Sequence, residues 1–470
     1  MRRTKIVSTI GPASESEEML SRMIDAGMNI ARLNFSHGTH EDHARVIQRI
    51  RKVSNEKNMP VAILQDLSGP KIRIGIMKKP VELKSGDRFT LFFDDREGDE
   101  TGVSTTYKDI RFAVEAGDTI LLADGAISMQ VEEKSDEGIL CKVVVGGTLS
   151  SKKGINLPTS TLAIPSLTEK DRADLQFGIE HGVDLVALSF VRRPGDVMKV
   201  KSMIHRAKKN IPVIAKIEKH EAIDAIDEII EVADGIMIAR GDLAVETPLE
   251  RVPVVQKNII QKCNRSGTPV ITATQMLQSM VTSPRPTRAE AADVANAVLD
   301  GSDAVMLSEE TTVGHDPVGV IQTMSRILSA AEKSFHLYWM PPRSEDKSET
   351  SIPKSVTHAA VIMADELEAR AIVTPTRSGY SARMVARHRP EKPVIALCVE
   401  KHVQRQLCIV WGVYPYYTGE IETTDEVLET ARNKAQDYGF ARQGDLIIIA
   451  AGLPPGQMGT TNLIKVEEIV

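Results

Sequence analysis

Cysteine is scarce in this 470-residue chain: Cys141, Cys263, Cys398 and Cys408 are its only four, and they form no CxxC pair. Such wide spacing argues against a disulfide framework or a zinc site and favours free thiols in a reducing cytoplasm. Long apolar runs are also missing: no apolar segment approaches the roughly 20 residues that a helix needs to cross a bilayer. The N-terminal segment has no signal-peptide core. We therefore expect a cytoplasmic protein with no membrane partner.

Neither sign of charge is in large excess. The chain has 58 Lys and Arg and 64 Asp and Glu, which give a net charge of −6. A nucleic-acid binder would carry clustered positive charge, so we expect no nucleic-acid partner. Aromatic residues make up only 4% of the chain, which leaves aliphatic side chains to fill the cores. At roughly 150 residues per domain, the length indicates about three domains.

Eight short aliphatic runs, separated by helical patterns, are the main positive signal. They are KIVSTI (5–10), NIARLNF (29–35), VAILQDL (61–67), LVALSF (185–190), PVIAKIE (212–218), GIMIAR (235–240), PVITAT (269–274) and DAVMLS (303–308). Nearly continuous apolar runs between amphipathic helices are typical of buried parallel strands. Eight such β-α units predict an α/β fold built on a (β/α)8 barrel of the TIM type.

Two interruptions divide the chain into domains. More than a hundred residues separate the third and fourth runs, and their alternating segments predict an all-β barrel domain inserted after strand 3. A polar, proline-containing segment before residue 355 predicts a linker to a C-terminal α/β domain. The predicted domains are the barrel at 1–70 and 165–340, the inserted β domain at 71–164, the linker at 341–354 and the C-terminal domain at 355–470.

Polar side chains recur where the predicted barrel strands end, which is the rim that carries chemistry in such barrels. They are Arg32, Asn34, Ser36, Asp66, Ser189, Lys216, Glu218, Arg240, Asp242, Thr274 and Ser308. Charged groups inside or directly after apolar strands are costly unless they are paired or coordinated. The set therefore favours a functional rim. Two members keep a structural interpretation beside the functional one: Arg240 as a salt-bridge partner and Thr274 as a core residue.

Lys216 and Glu218 stand out because the two-residue period of a strand places them on one face. One interpretation is a structural ion pair. The other is a cation for a transferring charge beside a carboxylate ligand of Mg²⁺, with Asp242 as a second ligand. Backbone N–H groups at Gly241 and Asp242 begin a segment suited to a substrate carboxylate. The candidate residues include Lys and Arg but no Ser-His or Cys-His pair that would indicate a nucleophilic mechanism. They therefore favour stabilisation of negative charge on a phosphoryl group or an enolate.

Nine segments, in order, resemble the pyruvate kinase family over essentially the full length of the chain. They are TKIVSTIGPAS (4–14), RLNFSHG (32–38), GPKIR (69–73), SKKGINLP (151–158), KIE (216–218), ARGDLAVE (239–246), ITATQML (271–277), PRPTRAEAADVANAVLDGSDAVMLS (284–308) and GTTN (459–462). The resemblance implies transfer of the phosphoryl group of phosphoenolpyruvate to ADP in glycolysis. It also implies Mg²⁺ or Mn²⁺, a phosphorylated allosteric effector and a homotetramer.

The resemblance also implies a role for each matching residue. The catalytic residues would be Lys216, Thr274 and Arg32. The phosphoenolpyruvate site would consist of Arg32, Lys216, Gly241, Asp242, Thr274 and Ser189, with Glu218 and Asp242 as ligands of the divalent metal. The nucleotide would contact Asn34, His37, Arg73, Asp124 and Lys153. Because Asp124 and Lys153 belong to the inserted domain, that domain is expected to be a mobile lid over ADP.

The chain departs from the family pattern in two places. Many members have Thr and Glu where this chain has Leu67 and Lys71, and those residues accompany a K⁺ site. That site would consist of Asn34, Ser36, Asp66 and Leu67. Lys71 would place an ammonium where the cation balances charge, so we predict that K⁺ is dispensable. The second departure is Glu309, where Gly is common, which puts the local turn in doubt.

A predicted strand-to-helix turn in the C-terminal domain is the candidate effector site. A helix N-terminus favours a phosphate, and the residues concerned are Thr374, Thr376, Arg377, Ser378, Gly379 and Ser381. An ordinary turn remains the alternative, and the chemical identity of the effector is open.

For the whole chain, two rival functions stay open. One is a Mg²⁺-dependent barrel aldolase or mutase acting on pyruvate enolate, and the other is a catalytically silent, metabolite-binding homologue.

Overall fold

The computed structural model of the chain describes residues 1–160, 164–338, 351–421, 423–453 and 461–470. The first strand-helix units are β1 (Lys5–Thr9), α1 (Glu17–Ala26), β2 (Ile30–Asn34), α2 (His40–Glu56) and β3 (Ala62–Asp66). Helix α1 starts where the Ser16 side chain accepts the N–H of Met19 and ends at Gly27. Gly27 has a φ of 115°, which favours glycine, and the chain turns there into β2.

The chain then leaves the barrel for eight strands that form the inserted domain. These are β4 (Val81–Leu83), β5 (Arg88–Phe92), β6 (Gly102–Ser104), β7 (Thr119–Leu122), β8 (Ile127–Lys134), β9 (Gly138–Val145), β10 (Gly147–Leu149) and β11 (Ile155–Asn156). One sheet has the order β11-β7-β8-β9-β5-β6, and β10 pairs with β4. The predicted all-β insertion after strand 3 is confirmed. Its core is mostly aliphatic, with Phe89 and Phe93, and the inserted domain, residues 71–160, is called the lid below.

The next part of the chain completes the barrel. Its elements are α3 (Glu169–Glu180), β12 (Leu185–Leu188), α4 (Pro194–Arg206), β13 (Val213–Ile217), α5 (His220–Asp224), α6 (Ile226–Val232), β14 (Gly235–Ala239), α7 (Arg240–Glu246), α8 (Val252–Ser266), β15 (Val270–Ala273), α9 (Arg288–Leu299), β16 (Ala304–Leu307), α10 (Glu309–Thr312), α11 (Pro317–Glu332) and α12 (Phe335–Tyr338). The closed order β1-β16-β15-β14-β13-β12-β3-β2 confirms the predicted eight-stranded barrel. Strand β12 pairs directly with β3 despite the insertion between them.

The C-terminal α/β domain contains a five-stranded sheet. Its elements are α13 (Ile352–Glu366), β17 (Ala371–Thr376), α14 (Tyr380–Ala386), β18 (Val394–Cys398), α15 (Lys401–Gln406), β19 (Val413–Tyr417), α16 (Thr424–Asp437), β20 (Leu446–Gly452) and β21 (Thr461–Glu468). The order is β19-β18-β17-β20-β21, with only the last pair antiparallel. Most of the predicted linker, 341–350, lies outside the described residues, whereas 352–354 belong to helix α13.

Alternation along the barrel strands separates two apolar layers. Ile6 packs with the surrounding helices, whereas its neighbour Val7 packs inside the barrel with Ile30 and Leu64. The interior layer continues into the core of the C-terminal domain. None of the helices in the described part of the chain is long and apolar enough to span a membrane.

Arg389 ties the C-terminal domain to the barrel at the face where the strands begin. Its side chain, 2% exposed, donates two 2.9 Å hydrogen bonds to Asp303, which precedes β16. It also donates to the Asn264 side chain at 2.5 Å and to the Gly301 carbonyl at 2.6 Å. Asp303 accepts the backbone N–H of Trp411 as well, at 3.0 Å. The site rim therefore lies at the end of the barrel opposite this junction.

We expect Arg389→Met to destabilise the fold by about 3–5 kcal/mol, because it leaves the buried Asp303 carboxylate without its ionic partner. Urea or thermal denaturation measures this loss. Arg370→Met is the matched control, since Arg370 forms an exposed pair with Asp445 and should cost little. If the Arg389 variant unfolds like the control, the junction does not hold the two domains together.

Candidate active site

The carboxyl ends of the barrel strands surround one cavity, called the rim cavity below. It is lined by Arg32, Asn34, Ser36, Asp66, Leu67, Ser68, Lys71, Ser189, Lys216, Glu218, Met237, Ala239, Asp242, Thr274, Met306 and Ser308. Most of the barrel residues predicted for the site are in this set. They meet because parallel strands in a closed barrel all end at the same rim.

Lys216 lies at the centre of a buried hydrogen-bonding and ionic cluster. Its Nζ is 2.8 Å from Glu218 Oε1 and 3.3 Å from Asp66 Oδ1. It also donates to Ser189 Oγ at 2.7 Å. Burial alone would lower the pKa of Lys216, but the two carboxylates hold it above its ordinary value. The residue is therefore an ammonium that both forms an ion pair and faces the rim cavity.

Arg32 shares the Asp66 carboxylate with Lys216. Arg32 Nε donates to Asp66 Oδ2 at 2.7 Å, and its Nη1 donates to Thr9 Oγ1 at 2.9 Å. Burial would raise the pKa of Asp66, but Lys216 and Arg32 hold it below its usual range. An ionised Asp66 thus orients two cations at the bottom of the rim cavity, where they can meet an anionic substrate.

Glu218 and Asp242 provide oxygen donors that suit a hard divalent cation. Burial and the nearby Asp242 charge raise the pKa of Glu218, against the opposing effect of Lys216. A divalent cation between the two carboxylates would remove that repulsion, so the donor set fits the metal. Among the described residues, no cluster of three or more His, Cys, Asp or Glu forms a metal cage. Mg²⁺ seldom has an all-protein cage.

Thr274 has a strained backbone that Arg240 holds in place. Its φ of 68° is unusual for a β-branched residue, and Gln275 is also left-handed, at 54°. Arg240 donates to the carbonyl of Thr274 at 2.7 Å and pairs with Asp293 at 2.8 Å. The Thr274 Oγ1 accepts the N–H of Gly241 at 2.7 Å. Arg240 is thus a salt-bridge partner, and the Gly241 N–H already has an acceptor.

The turn that contains Glu309 is helical and requires no glycine. Glu309 begins the short helix α10 and does not adopt a positive φ. The next residue, Glu310, is buried and accepts the N–H groups of Ser308 at 2.6 Å and Leu277 at 3.1 Å. Burial raises the pKa of Glu310. Glu309 therefore fits this turn, which Glu310 links to the segment after Thr274.

The residues predicted to contact the nucleotide are distributed over the barrel and the lid. Asn34 Oδ1 accepts the Ser36 N–H at 3.1 Å, and His37 is exposed on the loop after β2. The remaining three, Arg73, Asp124 and Lys153, lie on the inserted domain and do not line the rim cavity. A second cleft between the lid and the barrel contains Asp124 and adjoins the rim cavity, because Lys71 and Asp242 line both.

Six predicted effector-site residues lie together where β17 leads into α14. They are Thr374, Thr376, Arg377, Ser378, Gly379 and Ser381. Thr374 and Ser381 are buried, and Ser381 Oγ is 2.7 Å from Thr461 Oγ1. Arg377 pairs with Glu420 at 2.5 Å. Residues 459 and 460 of the GTTN segment lie outside the described residues.

Sequence reasoning missed three residues beside the site: Asn156, Lys219 and Glu246. Lys219 and Glu246 form a 2.6 Å ion pair, and Asn156 of the lid donates to Glu246 at 3.0 Å. The position of Lys219 directly after Glu218 was a signal that could have identified it. Asn156 and Glu246 also belong to segments that resemble the family.

Comparison with known proteins identifies the same family along the whole chain. A model of the pyruvate kinase barrel domain matches residues 1–321, and a model of the pyruvate kinase alpha/beta domain matches residues 354–467. Pyruvate kinase 2 of Synechocystis sp. is 48% identical over 100% of this chain and 79% of its own. The pyruvate kinase of Bacillus licheniformis is 48% identical over 99% and 80%, and that of Clostridium acetobutylicum is 43% identical over 100% of both. The chain belongs to the pyruvate kinase family.

Proposed function

We propose that this chain transfers the phosphoryl group of phosphoenolpyruvate to ADP through the residues of the rim cavity. Membership in the family makes the chain a phosphotransferase with these two substrates. The observation that carries the residue-level proposal is the Lys216 ammonium. It lies between two carboxylates and shares one cavity with Arg32 and Asp242. Cations aimed at a site of developing negative charge are what phosphoryl transfer requires.

Arg32 and Lys216 would bind the phosphoryl group during its transfer. An oxygen of the ADP β-phosphate attacks phosphorus while the bond from phosphorus to the enolate oxygen breaks. Lys216 stabilises the charge on the phosphoryl and enolate oxygens, and Ser189 and Asp66 hold its ammonium in position. Arg32 is held by Asp66 in the same way. Because both cations are already oriented, little reorganisation is needed when the charge moves.

The pyruvate enolate must then gain a proton on carbon. Thr274 lines the rim cavity, and its hydroxyl would help to deliver that proton through water. The substrate carboxylate would bind beside Gly241, Asp242 and Thr274. Since the Gly241 N–H donates to Thr274 Oγ1 in this structure, substrate binding would have to share or replace that hydrogen bond.

Glu218 and Asp242 would hold Mg²⁺ or Mn²⁺ beside the substrate. Bound there, the cation would neutralise negative charge on phosphoryl and enolate oxygens. The support is that both carboxylates line the rim cavity and that burial, together with the nearby Asp242 charge, raises the pKa of Glu218. Lys71 lines the same cavity and would replace a monovalent cation near Asn34, Ser36, Asp66 and Leu67.

The lid would complete the nucleotide site with Arg73, Asp124 and Lys153. The barrel would contribute Asn34 and His37. Closure over ADP would exclude water, which otherwise competes for the phosphoryl group. We also infer a phosphorylated effector at the start of α14 and a homotetramer, both from the family resemblance. A cytoplasmic location is inferred from the four widely spaced cysteines.

A coupled assay tests the function directly. We expect the purified chain with phosphoenolpyruvate, ADP and Mg²⁺ to form pyruvate and ATP in equal amounts, detected by lactate dehydrogenase with NADH and by luciferase. An aldolase or mutase would form no ATP, and a silent homologue would form neither product. Lack of turnover with Mg²⁺ or Mn²⁺, after a screen of sugar phosphates and nucleotides as activators, would refute the proposal.

A further inference from the structure

Glu246, the last residue of α7, is a buried carboxylate that the mechanism above does not use. Its side chain is 1% exposed and pairs with Lys219 Nζ at 2.6 Å. It also accepts a 3.0 Å hydrogen bond from Asn156 Nδ2. Lys219 follows the end of β13, and Asn156 is the last residue of the lid strand β11. One carboxylate thus joins α7, the end of β13 and the lid.

Stability alone does not account for a carboxylate at this position. The C-terminal end of a helix carries partial negative charge, which opposes an anion there. Burial adds a desolvation cost. The second oxygen, Oε2, is buried and receives no hydrogen bond from any residue that the structure describes. The nearest ring nitrogen, His220 Nδ1, is 3.9 Å away. A buried polar atom left unsatisfied calls for an explanation other than stability.

The lid approaches α7 at the preceding residue as well. Gly125, in the turn between β7 and β8, has a φ of 86°, and a Cβ at that position would lie 3.7 Å from Val245. Two neighbouring residues of α7, Val245 and Glu246, therefore face the lid. The same helix carries Gly241 and Asp242 in its first turn. The position of the lid is thus mechanically linked to the helix that carries a predicted metal ligand.

We propose that Glu246 is a positioning residue that latches the lid over the site through Asn156. This inference rests on the proposed function, because it requires Arg73 and Lys153 of the lid to face the nucleotide. Loss of the latch lowers the fraction of molecules with a closed lid, and the apparent affinity for ADP falls by the same factor. Phosphoenolpyruvate binds to barrel residues, so its affinity does not depend on the latch.

Substitutions at Asn156 test the latch without disturbing the buried ion pair in the barrel. A hydrogen bond to a charged acceptor is among the stronger ones, so we expect Asn156→Ala to raise the KM for ADP about tenfold. Asn156→Asp has the same shape but places a second carboxylate against Glu246, and it should raise this KM further. The KM for phosphoenolpyruvate and the thermal stability should not change in either variant.

Gln130→Ala is the matched control, because this exposed lid amide donates to the Gly117 carbonyl inside the lid at 3.3 Å. It should leave both KM values unchanged. A second readout does not depend on activity: hydrogen exchange without substrates should be faster in lid peptides around β11 in both Asn156 variants. Exchange in the barrel strands should stay as in the wild type.

Three results would overturn the latch. These are an unchanged KM for ADP, equal increases in the KM for both substrates, or unchanged lid exchange in both Asn156 variants. Equal increases would indicate a structural role in the barrel. A wild-type chain without ATP formation but with the expected exchange pattern would refute the proposed function and leave the link between Glu246 and the lid intact.

Discussion

We expect Lys216→Met to lower turnover by at least about 10³-fold, with a much smaller effect on the KM for either substrate. Removing one preorganised donor at a site of developing charge typically costs 10²–10³ in rate. Lys216 supplies a full charge, which Asp66 and Glu218 keep protonated. A methionine has a similar length and no charge, so the variant removes stabilisation of the transition state in particular. Steady-state kinetics in the coupled assay measure the loss.

Stability has to be measured together with the rate, because Lys216 also neutralises buried carboxylates. Without it, Asp66 keeps Arg32 as a partner, whereas Glu218 loses its nearest cation and will tend to take up a proton. We therefore expect a lower unfolding temperature but a folded barrel by circular dichroism. Lys201→Met is the matched control: Lys201 pairs with Asp234 at 2.9 Å, outside the rim cavity. A folded Lys216 variant with wild-type turnover would remove Lys216 from the mechanism.

The barrel could be predicted from sequence because its strands are buried on both faces. The run PVIAKIE, for example, corresponds to the strand Val213–Ile217, in which every residue is buried. Four lid strands gave no such signal. Strands β4, β6, β10 and β11 have only two or three residues, too few for alternation to show. Strands β6 and β11 pair with the longer strands β5 and β7, whereas β4 and β10 pair with each other.

The contacts of the candidate site are likewise of two kinds: some could be predicted from local sequence, and others depend on segments that are far apart in the chain. The two-residue period of a strand was sufficient to place Lys216 beside Glu218. The contact between Lys216 and Asp66 depends on how β13 and β3 meet across β12 in the closed barrel. The bond from Asn156 to Glu246 depends on the placement of the whole lid. No local pattern in the chain carries that information.

We expect wild-type turnover to remain when Na⁺ or tetramethylammonium replaces K⁺. Lys71 lines the rim cavity together with Asn34, Ser36, Asp66 and Leu67, where the family would place a monovalent cation. Its Nζ also lies 6.0 Å from the ring centre of Phe190, within range of a cation–π contact. A tethered ammonium balances charge without a bound ion. Loss of most activity on replacing K⁺ would contradict this prediction.

The variant Lys71→Glu provides the sharper test of the same idea. It replaces the ammonium with the carboxylate that K⁺-dependent members carry, so turnover should fall by about tenfold or more without K⁺ and recover as K⁺ is added. Lys71→Met should be low under both conditions, because a neutral side chain neither supplies the charge nor attracts the ion. Lys142→Glu changes charge in the same way at an exposed position of the lid strand β9, and the activity of this variant should not depend on the cation. Recovery by K⁺ in the Glu variant alone would show that charge at position 71 determines the cation requirement.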